Sequence, residues 1–345
     1  MKKNMTMKDI ADYLGVDRTT ISKALAGAPG VSPKTIEKVR QTAELLGYRK
    51  DIFASGFNTG KNAVLGLLLS DMTRGIYAPL VESFQRTALG FHYSTILFYL
   101  NRSEEELANA VELLKQQRVS GATFISAAAP STLTKYLTEF AENGLAVNTL
   151  ERSFVDRDAD CVGFNHVQAG YDLTNHFIGL GHRNIAFMTY TGIGGTPEGR
   201  LKGYVEAMRS AGLSPRVIAE DKPVSHRAGD EMRIAYERLN NEWDRLDKPT
   251  GWIGANDNFA LGILHGLKDK RIAVPGEVSV AGFDDLNATL GIPQLTSMRM
   301  PMNRAGEALA KLLVDRISTA GQAASKVTLD YEIIVRESTA SCPRS

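Results

Sequence analysis

From residue 63 to residue 282, short apolar runs alternate with amphipathic segments in two successive series. Such a pattern builds parallel sheets with helices on both faces. In the first series 63–70, 94–100, 121–126 and 145–149 read as strands, with a helix over 77–90 and another opened by Ser103. Glu104, Glu105 and Glu106 fall in the first turn of that second helix, where acids complement the dipole. The series restarts at Val162. Helices over 166–179, 198–211, 227–240 and 257–268 then alternate with strands over 184–189, 217–219, 251–255 and 278–282. Two series predict an α/β body of two doubly wound parallel-sheet subdomains.

The first 48 residues follow another rule. Thr6 stands three residues before Asp9, ahead of Ile10, Ala11 and Leu14, which is a capping-box arrangement. Gly15 supplies the left-handed turn that ends this helix. Asp17 can cap the next one, whose Thr19, Thr20 and Ser22 oppose Ile21, Ala24 and Leu25. Ser32-Pro33 opens a third helix, with Ile36, Val39, Ala43 and Leu46 at helical spacing and Gly47 at its end. Two short helices joined by a glycine turn predict a small all-α helix-turn-helix head that reads duplex DNA. Arg18, Thr19 and Lys23 are the candidate base readers, since arginine pairs with guanine and threonine offers a hydroxyl or a methyl. Thr6, Thr20, Ser22, Ser32 and Lys34 are candidates for holding phosphates. A small helical bundle with an ordinary polar surface is the plainer alternative.

Charge agrees with a DNA-reading head. The net charge of +1 hides ten Lys/Arg against six Asp/Glu in residues 1–60, and thirty against thirty-three in the rest. A basic head on a mildly acidic body suits phosphate neutralisation. At 345 residues, two or three domains are expected. The two cysteines, Cys161 and Cys342, have no metal-ligand spacing, and free thiols are expected. No signal peptide or membrane span is read from the sequence, so the expected location is the cytoplasm, at the nucleoid. Neither a nucleophile elbow, a zinc spacing nor a phosphate loop appears, and Pro197 stands where a dinucleotide fingerprint needs glycine. No cofactor and no metal are expected, and an enzyme is disfavoured.

Residues 5–48, MTMKDIADYLGVDRTTISKALAGAPGVSPKTIEKVRQTAELLGY, resemble the head of the lactose-repressor (LacI/GalR) family of bacterial transcription regulators. The resemblance continues through 163–165, Gly181-His182-Arg183, Ala255-Asn256-Asp257, 274–285 and 335–339. It implies a body of the periplasmic-binding-protein type I architecture with three crossings between subdomains, placed near 161, 292 and 325. The domains are then a head over 1–48, a hinge over 49–61 and an effector-binding and dimerisation body over 62–340. Subdomain one takes 62–161 and 293–322; subdomain two takes 162–291 and 326–340.

The resemblance also assigns roles. The hinge folds on operator binding, and two copies push an apolar wedge into the minor groove. Phe57 stands where leucine is usual, and phenylalanine is an accepted wedge. Packing of Phe53 and Phe57 onto the body is the alternative. Two departures in the head, Ala26 for asparagine and Asp17 for serine, point away from a standard operator. Asp17 is read either as a pure cap or as an acceptor for a cytosine amino group.

In the body the resemblance points to Asp71, Tyr77, Arg152, Asn165, Arg200, Asn256 and Asp284 as effector contacts. Arg74 and Ser126 join them, and most of this set follows a strand end, where ligands of open sheets bind. Carboxylates and amides beside an arginine suit sugar hydroxyls, while Tyr77, Phe164 or Phe259 could stack on a ring. Caps at Asn256 and Asp284, a surface ion pair at Arg200 and a core role for Tyr77 are the plainer alternatives; Phe283 and Trp252 read as core. Arg74, Arg152 and Arg200 together raise an anionic effector as a further option. The expected function is a ligand-controlled transcription regulator, a repressor acting as a homodimer on a palindromic operator, with a carbohydrate effector. A purine- or nucleoside-responsive regulator and an exported solute receptor are the alternatives.

Overall fold

The computed structural model describes residues 5–26, 29–46, 62–70, 75–100, 103–125, 130–151, 159–190, 196–220, 229–319 and 321–343. The chain divides into two compact units, Met1–Asn62 and Ala63–Ser345.

Among the described residues the first unit holds three helices. In α1 (Met7–Leu14) the Thr6 hydroxyl accepts from the Asp9 amide at 3.3 Å, and the Asp9 carboxylate accepts from the Thr6 amide at 2.7 Å. Gly15, at φ 65°, ends the helix. α2 (Arg18–Ala26) follows at once, and α3 (Pro33–Leu45) starts behind Ser32, whose hydroxyl accepts from the Thr35 amide at 3.2 Å. Ile10, Ala11, Ile21, Ala24, Val39 and Ala43 form the core, two from each helix. The last helix stops at Leu45 with Leu46 as its cap residue. Gly47, expected to end it, lies outside the described residues.

Among the described residues the second unit holds two six-stranded sheets. Subdomain one contains β1 (Asn62–Leu69), α4 (Ala78–Gly90), β2 (Ser94–Tyr99), α5 (Glu104–Gln116), β3 (Val119–Ile125), α6 (Pro130–Glu142), β4 (Ala146–Leu150), β5 (Asp160–Phe164), α11 (Met302–Ser318) and β11 (Lys326–Leu329). Subdomain two contains α7 (His166–Gly179), β6 (Ile185–Tyr190), α8 (Thr196–Ser210), β7 (Arg216–Glu220), α9 (Asp230–Glu242), β8 (Gly251–Gly254), α10 (Asp257–Asp269), β9 (Ser279–Asp284), β10 (Thr296–Arg299) and β12 (Glu332–Ile334). Strand orders are β11-β5-β4-β3-β1-β2 and β12-β10-β9-β8-β6-β7. The ladders β1–β2, β3–β4, β4–β5 and β5–β11 are parallel, as are β6–β7, β6–β8, β8–β9 and β9–β10; β12 is antiparallel to β10.

Both faces of each sheet are covered, which is why the strands are near-continuous apolar runs. In subdomain one α4 and α11 bury Phe84, Leu309 and Leu313 on one face, while α5 and α6 bury Leu114, Leu137 and Phe140 on the other. In subdomain two α9 and α10 bury Leu239 and Leu264, and α7 and α8 bury Phe177 and Tyr204. Strand order reverses between β1 and β3 and again between β6 and β8, and each reversal opens a crevice at the carboxyl ends of the strands.

The crossings correct the expected boundaries. β5 stays in the first sheet through Phe164, β10 belongs to the second sheet, and β11 pairs with β5 in the first. The chain therefore changes subdomain at Asn165, at 300–301 and at 330–331 rather than near 161, 292 and 325. Subdomain one takes 62–164 and 301–329, and subdomain two takes 165–300 and the chain after 330. The physical reason is that each strand must run its full ladder before its chain can leave the sheet. All three crossings consequently gather at carboxyl ends of strands, around the crevices.

Candidate functional site

In the head, Ile21 and Ala24 are buried, while Arg18, Thr19, Ser22 and Lys23 of α2 are exposed and Thr20 is half-buried. Asp17 caps the helix. Its Oδ1 accepts from the Thr20 amide at 2.9 Å and from the Thr19 hydroxyl; its Oδ2 accepts from the Thr20 hydroxyl at 2.9 Å. These bonds, the Thr19 hydroxyl's first, hold the carboxyl well below the usual carboxylate range. The Thr6 hydroxyl donates to Asp9 at 2.6 Å, so its proton is already used. Ser32 and Lys34 are exposed at the start of α3. Phe57 and the rest of the hinge, with the Ala26 side chain, lie outside the described residues.

Of the expected effector contacts, Asp71, Arg74, Ser126 and Arg152 lie outside the described residues. Tyr77 is half-buried at the start of α4, packed against the core of subdomain one. Asn165, Arg200, Asn256 and Asp284 all stand at the carboxyl ends of strands or in the helices that follow them. Arg200 is the centre of this group. It is 2% exposed and donates to Asp284 Oδ1 at 2.5 Å, to the Ala255 carbonyl at 2.7 Å and to the Tyr331 hydroxyl at 3.1 Å. Its guanidinium lies 4.6 Å from the Phe283 ring centroid and 5.5 Å from that of Tyr331. Burial alone would drive this cation toward neutrality; the Asp284 carboxylate and Tyr331 raise its pKa instead. Its Nε is buried and has no hydrogen-bond partner among the described residues.

The two amides are partly spent on local structure. Asn256 Oδ1 caps α10 by accepting from the Phe259 amide at 3.0 Å, and Asn256 Nδ2 donates to the buried Glu231 at 3.0 Å. Asn165 Oδ1 accepts from the Gln168 amide at 3.3 Å, and its Nδ2 donates to Asp330 at 3.1 Å across two crossings. Asp284, expected either as a cap or as a ligand contact, is bound by Arg200. Phe259 is fully buried against Tyr190 and belongs to the core, as Phe283 and Trp252 do.

Sequence reasoning missed several members of this network. Glu231 from α9 serves both Asn256 and Asn258, the latter at 2.9 Å. His166 joins the Tyr331 hydroxyl at 2.8 Å to Glu151 at 3.2 Å, linking two crossings to the end of β4. Glu151 stands out in the sequence as a polar residue just after a strand, whereas Glu231, His166 and Tyr331 carry no motif. A small cavity lined by Ile76 of subdomain one and by Asn256, Asp257, Asn258, Asp284, Leu286 and Asn287 of subdomain two lies at this point between the subdomains.

Asp257 is the most perturbed acid there. It accepts from the Ser297 hydroxyl at 2.6 Å and the Leu286 amide at 2.9 Å. Burial, then the nearby Asp284 carboxylate, pushes it up from 3.8 to about 7 despite those bonds. A folded pKa above the unfolded one means the native state holds the extra proton between the two values. Stability from this site is therefore full below about pH 4 and is lost as pH rises to about 7. Urea unfolding at about pH 5 and about pH 8 should show the wild type losing stability relative to Asp257→Asn over that rise. Parallel curves for the two proteins would show that Asp257 is ionised throughout.

Among the described residues no cluster of His, Cys, Asp and Glu could hold a metal ion, and no helix is long and apolar enough to cross a membrane. Cys161 and Cys342 are not joined in a disulfide. Residues 6–51 match the description "Bacterial regulatory proteins, lacI family", and residues 174–339 match "Periplasmic binding protein-like domain". The chain joins a lacI-family head to a periplasmic-binding-protein-like domain. Catabolite control protein A of Priestia megaterium is 29% identical over 97% of this chain and 99% of its own. Among solved structures of the fold, a lac repressor dimer bound to operator and an anti-inducer matches with TM-score 0.82 at 22% identity, over 98% of this chain and 100% of that one. A complex of the transcriptional regulator CelR with cellobiose matches with TM-score 0.69 at 25% identity, over 97% and 100%. With that head and that domain, and with transcription regulators as its relatives, the chain is a DNA-binding transcription regulator with an effector-binding domain, and not an enzyme.

Proposed function

We propose that the chain is a repressor that grips a two-fold operator as a homodimer in the cytoplasm and is switched by a neutral, hydroxyl-rich effector, a sugar or sugar derivative, held between its subdomains. The observation that carries this reading is the Arg200–Asp284 pair at the end of β9. The arginine charge is already met by the carboxylate, so this wall has little attraction for an anion. What it offers is a mixed set of donors and acceptors: an unspent Arg200 Nε–H, the amide edges of Asn165 and Asn256, and carboxylate oxygens of Asp284 and Glu231. A sugar hydroxyl both donates and accepts, and such a set suits it. The case for an anionic effector loses Arg200, while Arg74 and Arg152 lie outside the described residues. The cellobiose in the CelR complex is consistent with this chemistry.

Operator contacts fall to Arg18, Thr19, Ser22, Lys23, Ser32 and Lys34, with Phe57 as the minor-groove wedge. A dimer supplies the two heads that a palindrome needs. Effector binding shifts the subdomain angle and with it the spacing of the two hinges, a coupling of ~1–3 kcal/mol. Two measurements on the full chain test this. Titration of labelled duplexes should show sequence-preferring binding that weakens steeply with salt. Calorimetry against neutral sugars, sugar acids, sugar phosphates and purines should give heat with a neutral sugar, and that sugar should change operator affinity by roughly fivefold to a hundredfold. Binding confined to the acids or phosphates would overturn the effector class. A monomer mass by light scattering in the presence of operator would overturn the dimer.

A further inference from the structure

We propose that Asp17 sets the hydrogen-bonding polarity of the reading helix, so that the base facing Thr19 must present an amino group or a methyl and cannot be guanine. The inference rests on the DNA reading of the head and concerns which bases that head accepts. Asp17 has two carboxylate oxygens, and both are occupied: one by the Thr20 amide and the Thr19 hydroxyl, the other by the Thr20 hydroxyl. Each threonine has one hydroxyl proton, and each proton points back at the cap. What Thr19, exposed on the helix, has left to show the groove is oxygen lone pairs and a methyl group. A lone pair meets adenine N6 or cytosine N4 favourably, and the methyl packs on the methyl of thymine. The major-groove edge of guanine carries only the acceptors N7 and O6, so acceptor would face acceptor. Phosphate oxygens also only accept, so Thr20 reaches a phosphate through its hydroxyl only by surrendering its bond to Asp17. Asp17 is thus a positioning residue: it touches no base and acts through the two threonines. The resemblance-based alternative, an Asp17 oxygen accepting directly from cytosine, competes with three donors already in place.

Asp17→Ser separates the cap from the polarity. A serine hydroxyl still accepts from the Thr20 amide, as Ser32 does from Thr35, but leaves the Thr19 hydroxyl proton free to turn outward. Full-length wild type, Asp17→Ser and Thr19→Val are each used to select binding sites from duplexes randomised across a half-site. Wild type should disfavour guanine by roughly tenfold at one base pair per half-site. Asp17→Ser should cut that discrimination to about threefold or less at the same position and leave the others unchanged. Thr19→Val, which keeps the shape and loses the oxygen, should shift that position toward thymine and so identify it. Identical preferences for wild type and Asp17→Ser would overturn the proposal. So would an Asp17→Ser change spread over the whole half-site, because that is the signature of a lost cap. Enrichment of no sequence by any of the three proteins would overturn the DNA reading itself, and the proposal with it.

Discussion

Gly203→Ala is expected to lower the stability of the body by about 3 kcal/mol and to abolish the effector response. A Cβ at Gly203 of α8 would stand 2.6 Å from the Tyr171 amide nitrogen of α7, and closer still to the Val167 carbonyl oxygen. On the facing helix, a Cβ at Gly170 would stand 2.8 Å from the Arg200 carbonyl carbon. The two helices therefore touch backbone to backbone through a pair of glycines. Backbone atoms cannot swing aside as a side chain can, so one added methyl must push the helices apart. That displacement reaches the candidate site, because α7 begins at His166 beside Asn165 and α8 carries Arg200. Gly179→Ala is the control: it ends the same α7, a Cβ there meets nothing within 4 Å, and alanine is the better helix former. Its unfolding midpoint should be unchanged or slightly raised. If Gly203→Ala unfolds at the same denaturant concentration as Gly179→Ala, the close approach of the helices is not a constraint.

Arg200→Met is expected to cost about 3 kcal/mol as well, for the opposite reason. Methionine keeps much of the apolar length against Phe283 and Tyr331, so shape is nearly conserved. The loss is electrostatic. Asp284, the Ala255 carbonyl and the Tyr331 hydroxyl are all left without the donor that satisfied them. For a unit of this size the melting temperature should fall by roughly 6 °C. Adding Asp284→Asn removes the stranded charge, so the double variant should recover part of the stability. It should not recover binding of the sugar identified by calorimetry, since both polar groups that would meet the hydroxyls have changed. A double variant that binds the sugar normally would remove this pair from the effector site.

Legibility differed sharply between the parts of the chain. The caps of the head were readable because each is local: Thr6 with Asp9, Asp17 with Thr20 and Ser32 with Thr35 are all three residues apart. Helix α7 was readable to the residue, and α5 from its Ser103 cap, for the same reason. α11 was not assigned; it starts behind Pro301 with no side-chain cap, so nothing marks its beginning. The crossings were misplaced by several residues because an apolar run does not say which of two sheets it joins. Val162 and its neighbours look the same whether β5 closes the first sheet or opens the second; only its pairing with β4 and β11 decides.

The candidate site divides along the same line. The residue types at strand ends were visible in the sequence, but their commitments were not. Arg200 could be counted among three arginines favouring an anion until its partner, 84 residues away, was found to be Asp284. Asp257 stood in the sequence only as part of the Ala255-Asn256-Asp257 stretch; burial and Asp284 are what raise its pKa. By itself the sequence determined the classes of element, the caps and the DNA-reading head, because those follow from contacts within one turn or one strand. Tertiary structure alone decided where the subdomains exchange chain, which charges are already neutralised and how closely α7 and α8 meet. Those depend on groups brought together from distant positions, whose burial and mutual fields exist only once the sheets have formed.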